Sequence, residues 1–187
     1  NNIYIIMKIL IYGSNGWIGN KFINILKNKN IEYVCGKVRV NSTQHLINEI
    51  ESIEPTHIIS FIGRTHGKID DTIYSTIDYL EQPGKLKENV RDNLFSPITL
   101  AIISKKMNIH FSYLGTGCIF KFDDEHLFEK EINGFNEDSL PNFTGSSYST
   151  IKGFTDRLMH FFSDNVLNLR IRMPITGVMN PRNFITK

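Results

Sequence analysis

The sequence predicts an α/β protein built on one mostly parallel, doubly wound sheet. Three observations carry that prediction: five short apolar runs of strand type, amphipathic stretches of helical period between most of them, and a glycine-rich turn joining the first run to the first helix. The first run, residues 8–12, is too short to span a bilayer and ends at Gly13-Ser14-Asn15-Gly16, so it reads as a buried strand. Met7 looks like a natural start, with Asn1 to Ile6 as an upstream extension.

The helix that follows, residues 17–27, puts Ile18, Phe22, Ile25 and Leu26 on one face. A second strand is expected at 31–34, and a second helix at 43–54, where Leu46, Ile47, Ile50 and Ile53 share a face and Pro55 lies just past the end. Residues 57–62 read as the third strand. A long helix is expected from 87 to 107, and Pro97 inside it either kinks it or begins a new segment capped by Ser96. The fourth strand is expected at 109–114 and the fifth at 166–172. Between them a helix over 147–162 sets Ile151, Phe154, Leu158 and Phe161 toward the core. Residues 64–86 and 121–146 show no clear period and are longer than ordinary connections, which marks them as functional or mobile stretches.

Composition narrows the function. At 187 residues the chain fits one domain, and 41% hydrophobic residues, 21% charged residues and a mean hydropathy of −0.19 exclude a disordered tail or a membrane bundle. The net charge of +2 (21 basic minus 19 acidic residues) is too small for the basic footprint of a nucleic-acid binder, so a small-molecule partner is expected. Cys35 and Cys118 cannot build a disulfide framework and have no metal-ligand spacing, which suits a reducing compartment. The six histidines show no metal spacing either.

Gly13, Gly16 and Gly19 follow the first strand and open the first helix, where a dinucleotide-binding turn of a Rossmann-type sheet lies. Glycines let the backbone approach a pyrophosphate, and the amides and dipole of the helix start stabilise its charge. Asn15, Trp17 and Ile18 belong to the same turn. Past the second strand there is no carboxylate for a free ribose hydroxyl, but there are two cations. Arg39 first, and Lys37 second, therefore favour the 2′-phosphate of NADP(H). Either could equally be a solvated surface cation.

Tyr148 and Lys152 stand four residues apart on one helix face. A nearby ammonium is expected to bring the phenol down toward neutrality, which suits a proton donor to a carbonyl being reduced. Thr116, just past the fourth strand, can donate to the same oxygen. Read alone, Cys118 is a small buried hydrophobe and Lys187 a terminal cation.

With the glycine turn, Thr116 and the Tyr148/Lys152 pair in place, the chain resembles the extended short-chain dehydrogenase/reductases. Tyr12-Gly13, Gly16-Trp17-Ile18-Gly19, Thr116-Gly117-Cys118-Ile119-Phe120, Pro141-Asn142-Phe143-Thr144-Gly145, residues 170–175 and residues 180–187 resemble, more narrowly, the bifunctional 3,5-epimerase/4-reductases that make nucleotide-linked L-rhamnose in plants and giant viruses. That resemblance implies NADPH-dependent reduction of UDP-4-keto-6-deoxyglucose, with inversion at ring positions 3 and 5, to UDP-L-rhamnose. Tyr148 would be the proton donor, Lys152 would tune it and hold the nicotinamide ribose, and Thr116 would align the carbonyl. Cys118 and Lys187 look like the epimerase pair.

It further implies cofactor contacts from Phe61, Ile62, Gly63 and Pro174, with Phe61 departing from the usual small residue. Arg64 and Arg182 are expected on the diphosphate, and Asn142, Thr144 and Asn183 on the sugar. A cytosolic homodimer is implied as well. Residues 1–187 would form the NADP(H)-binding domain, with the substrate lobe of the family largely absent. Reductases for other nucleotide sugars, of dTDP-rhamnose or GDP-fucose type, and a non-catalytic NADP-binding regulatory module are the alternatives.

Overall fold

The computed structural model describes residues 7–127, 133–180 and 183–186. Strands β1 (Lys8–Tyr12), β2 (Glu32–Cys35), β3 (His57–Ser60), β6 (His110–Thr116) and β7 (Val166–Ile171) form one sheet in the order β2-β1-β3-β6-β7, with every neighbouring pair parallel. The winding reverses between β1 and β3, and ligands of such open sheets bind beyond the carboxyl ends of the strands at that reversal. Phe61 N–H donates to the Tyr12 carbonyl at 2.9 Å there, which fixes the two strand ends side by side.

Alternation along β1 assigns the helices to faces. Ile9 and Ile11 pack with Phe22, Ile23 and Leu26 of α1 (Trp17–Asn28). Leu10 and Tyr12 point the other way, into a core with Leu46 and Ile50 of α2 (Thr43–Ile53), Leu100 and Ile103 of α4 (Ser96–Lys106) and Met159 of α5 (Ser147–Met159). Ile25, expected on the inner face of α1, is exposed, and Ile23 takes its place because the buried stripe runs through 22, 23 and 26.

The stretch after β3, without period in the sequence, holds an antiparallel hairpin of β4 (Gly67–Ile69) and β5 (Thr72–Tyr74). The long helix over 87–107 is three joined pieces: α3 (Leu86–Val90), a π-helical turn Arg91–Phe95, and α4, with Pro97 in its first turn. Pro97 has no N–H to donate to the Asn93 carbonyl four residues back, and a wider turn relieves the ring's clash there. The Thr155 hydroxyl of α5 donates to that carbonyl at 2.6 Å instead. Ser96 is no cap: it lies in helical conformation and its hydroxyl donates to the Val40 carbonyl at 3.1 Å.

Helix α5 departs furthest from expectation. Ile151 is buried, but Phe154 and Phe161 are 59% and 75% exposed and Leu158 is also exposed. The inward face instead carries Tyr148, Ser149, Lys152, Thr155 and Asp156. Each polar group finds a partner inside, notably Asp156, which takes two 2.8 Å bonds from the Arg170 guanidinium and one from Asn168 Nδ2.

Candidate active site

The glycine turn is shaped by close approach. Gly13 sits at φ +75°, where a side chain is strained, and a Cβ on it would lie 2.7 Å from the Phe61 backbone. At Gly19 a Cβ would come within 2.5 Å of the Gly13 carbonyl, so a bare residue lets α1 close onto the turn. The first turn of α1 has no side-chain cap and no acidic residue, leaving its amides and dipole for an anion. Asn15 is exposed at the turn. A cleft of about 520 Å³ opens beside it, walled by Trp17 and Ile18 on one side and by Leu114, Arg172 and Pro174 on the other. Lys21, unmarked in the sequence, also lines it and donates to Thr176 Oγ1 at 3.1 Å. An uncapped helix start, a bare turn and an adjoining cleft fit a dinucleotide.

Lys37 and Arg39 are exposed just past β2. Their loop is held by Glu49 of α2, whose carboxylate accepts from the N–H groups of Lys37 (2.7 Å) and Val38 (3.1 Å) and from the Tyr12 hydroxyl (2.8 Å). No local motif announces Glu49, since it acts across 11 residues of sequence.

At the carboxyl end of β6, Thr116, Cys118 and Tyr148 converge. The Thr116 side chain lies beside the Tyr148 phenol and accepts from Cys118 N–H at 3.1 Å. Cys118 packs against the cluster of Tyr79, Leu80 and Tyr148. Glu81 seats the start of α5, its carboxylate accepting from the N–H groups of Ser147 (3.0 Å) and Tyr148 (3.2 Å). Lys152 lies one turn behind Tyr148, 5% exposed, and donates to the Tyr113 hydroxyl at 2.6 Å.

The expected lowering of the phenol is reversed. Burial, reinforced by the neighbouring Cys118, pushes Tyr148 up to about 12, while burial brings Lys152 down to about 7 despite Asp156 nearby. Desolvation disfavours both charged forms and is the largest cause of each shift. Tyr148 therefore keeps its proton at neutral pH, which leaves it able to donate one.

No family model matches the chain. It is 55% identical to a protein of Acanthamoeba polyphaga mimivirus, and the alignment spans 97% of this chain and 61% of the relative. A crystal structure described as the mimivirus UDP-rhamnose synthase is likewise 55% identical and superimposes with a TM-score of 0.89 over 96% of this chain and 61% of that one. The chain is an extended short-chain dehydrogenase/reductase related to UDP-rhamnose synthase. An Arabidopsis thaliana trifunctional UDP-glucose 4,6-dehydratase/UDP-4-keto-6-deoxy-D-glucose 3,5-epimerase/UDP-4-keto-L-rhamnose-reductase is 39% identical over 97% of this chain and 26% of its own length. The chain thus spans about three fifths of the viral relative and a quarter of the plant one.

Within this short-chain dehydrogenase/reductase crevice several expected contacts are otherwise engaged. Asn142 is a structural clamp: its Oδ1 accepts from Lys121 N–H, and its Nδ2 donates to the Lys121 carbonyl and to Asp123 Oδ2. Asn183 is fully buried, its Nδ2 donating to the Thr176 and Val178 carbonyls and its Oδ1 accepting from Thr176 and Ile185 N–H, so it has no group left for a sugar. Arg64 faces Asp92 at 3.4 Å and Glu88 at 4.0 Å, carboxylates it shares with Arg91 and Lys85, so ion pairs hold its side chain against α3 and the π turn. The Phe61 ring stacks obliquely on Phe22 at 5.3 Å on the α1 side, leaving its backbone against Gly13. Ile62 and Gly63 follow at the β3 end, and Thr144 is exposed ahead of α5. Arg182 and Lys187 lie outside the described residues. Among the described residues, no group of three or more His, Cys, Asp or Glu could hold a metal, and no helix is long and apolar enough to cross a membrane.

Proposed function

We propose that the full-length protein reduces UDP-4-keto-6-deoxyglucose, after inversion at ring positions 3 and 5, to UDP-L-rhamnose. The observation that carries this reading is the meeting of Thr116, Cys118 and Tyr148 at the carboxyl end of β6, with Lys152 one turn behind. The 55% identity to the mimivirus UDP-rhamnose synthase supports it. NADPH supplies the hydride that reaches ring carbon 4. The uncapped start of α1 takes its diphosphate, and Arg39 and Lys37, on a loop braced by Glu49, take the 2′-phosphate. A related fold of 15% identity, the dTDP-4-dehydrorhamnose reductase of Bacillus anthracis, has been solved in complex with NADP.

Tyr148 donates its proton to the ketone oxygen as hydride arrives on carbon, and Thr116 aligns that oxygen by hydrogen bonding. Lys152 stabilises the tyrosinate left behind and holds the nicotinamide ribose. The two epimerised carbons flank the ketone, so their protons are acidified. Cys118 and Lys187 are the groups that remove and return them.

Residues 1–187 act as the cofactor-binding portion. The exposed Ile175, Met179 and Phe184 support a substrate lobe packing over the chain's end. The exposed Phe154 and Leu158 of α5, with Phe161 in the turn that follows, support a two-fold dimer through that helix, in a reducing, cytosolic setting. Incubation of full-length protein with UDP-4-keto-6-deoxyglucose, NADPH and deuterated solvent tests the chemistry. UDP-L-rhamnose labelled at positions 3 and 5 is expected. Tyr148→Phe should cut reduction by roughly 10²–10⁴-fold, and Cys118→Ala should abolish the labelling. Equal turnover of dTDP- or GDP-linked ketosugars would overturn the uridine assignment.

A further inference from the structure

Lys152 carries its ammonium into a place with little water, so what it donates to decides both where it points and whether it stays charged. The Tyr113 hydroxyl, on β6 three residues before Thr116, accepts at 2.6 Å, and the Leu114 carbonyl lies at 3.4 Å. Tyr113 is itself 1% exposed and fixed between the sheet and the helices of the larger core, so its oxygen cannot drift from that position. Asp156, one turn on, is engaged by Arg170 and Asn168 and stands 3.8 Å from His160. Arg91 and Asp92 of the neighbouring π turn pair with each other. Cys118 and Tyr148 are the other titratable groups close to this ammonium and phenol.

We propose that Tyr113 is a positioning residue, whose hydroxyl holds the Lys152 ammonium beneath the crevice at the end of β6 and strengthens its hold on the proton. A hydroxyl lone pair aimed at an ammonium favours the protonated form, opposing the burial that drives the proton off. The strand places Tyr113 Oη where a long, rotatable side chain has to end, which removes much of the freedom a lysine would otherwise lose on binding a ligand. The proposal rests on the reading of Lys152 as the group that holds the nicotinamide ribose and tunes Tyr148. Its own content is narrower, because it concerns only what governs Lys152.

Two measurements on the full-length protein separate the two ideas. With ¹³Cε-labelled lysine, the Lys152 resonance is identified by its loss in Lys152→Met and titrated by NMR. Tyr113→Phe deletes one oxygen and keeps the ring that fills the core, and it should lower the Lys152 midpoint by roughly half to one pH unit. An unchanged or raised midpoint overturns the proposal. NADPH binding, measured by titration calorimetry, supplies the second reading. Tyr113→Phe should weaken it about three- to tenfold, with the alkaline fall-off moving to lower pH, and should change it less than twofold in a Lys152→Met background. A Tyr113→Phe loss that persists undiminished without Lys152 assigns Tyr113 a packing role and overturns the proposal. If Lys152→Met alone leaves NADPH affinity untouched, the reading of Lys152 fails, while the NMR midpoint still decides the role of Tyr113.

Discussion

Helices α4 and α5 lie against each other and against the same sheet, yet they fill their inner faces differently. α4 turns Pro97, Leu100, Ala101 and Ile103 inward with only the small hydroxyl residues Ser96, Thr99 and Ser104 among them. α5 turns Tyr148, Lys152, Thr155 and Asp156 inward beside Ile151 and Met159, and leaves Phe154 and Leu158, with Phe161 in the turn that follows, outside. Apolar side chains go inside when packing alone selects them. On α5 the inner face is set by the crevice it borders, and every buried polar group needs a fixed partner in return. A hydrophobic stripe marks a surface to be covered, not which surface covers it.

The largest effect should come from breaking the α5 side at its ion pair. Asp156→Ala leaves the largely buried Arg170 guanidinium and the Asn168 amide without their acceptor. Removing one member of a buried pair costs about 3–5 kcal/mol, visible as a fall in thermal midpoint. A loss below about 1 kcal/mol would mean that Arg170 is satisfied by the Asn136 and Ser139 carbonyls it also reaches.

Next, one truncation on each helix sharpens the contrast. Leu100→Ala in α4, at a fully buried site, should cost about 3 kcal/mol through lost transfer energy and a cavity. Leu158→Ala in α5, about a third exposed, should cost under about 1 kcal/mol in dilute monomer. Chemical denaturation of both variants measures the pair. Equal losses would show that the outward face of α5 is buried in the protein as it folds.

The same contrast explains how far the sequence could be read. The sheet was legible because β1, β3 and β6 are short apolar runs, and the Gly13 to Gly19 spacing sits where only a tight, side-chain-free turn fits. Thr116, Tyr148 and Lys152 were legible because each lies on a regular element, where position follows from period. The inner face of α5 was not, since Phe154, Leu158 and Phe161 follow a helical period as faithfully as a core stripe would. Asn142 and Asn183 carry the donors and acceptors that a sugar contact needs, and only the folded chain shows that their own loops take them all. Tyr113, Glu49 and Glu81 act across long stretches of chain on backbone or ammonium groups that no local motif marks.

A smaller effect is expected where the two helices meet. Thr155→Val keeps the shape of the side chain but strips the donor from the Asn93 carbonyl, which Pro97 cannot serve. Leaving that buried acceptor unpaired costs about 1–3 kcal/mol, read by denaturation. Adding Pro97→Ala to that variant should recover part of the loss, because the substitution restores a backbone N–H that can bond the carbonyl if the π turn relaxes. No recovery would show that the π turn is held by something other than the proline.

The smallest expected shift runs the other way. Lys152→Met replaces a buried ammonium by an apolar side chain of similar length, so it should raise stability near pH 7 by on the order of 1 kcal/mol while removing NADPH-dependent reduction. The sign follows from the proton balance. Lys152 falls to about 7 in the folded protein from an ordinary 10.5, so between those values the unfolded chain holds the proton and the folded one does not. Wild-type stability therefore climbs as pH rises through that window, and below about 7 it carries the full penalty. The substituted methionine has no proton to lose, so the advantage of the variant should be greatest at or below neutrality and shrink steadily as pH approaches the ordinary lysine value. Thermal midpoints of both proteins from about pH 6.5 to about pH 10 measure the difference. A gap that stays constant across that range would mean that Lys152 keeps its ordinary affinity for the proton, and that the polar lining of α5 imposes no electrostatic cost for α4 to avoid.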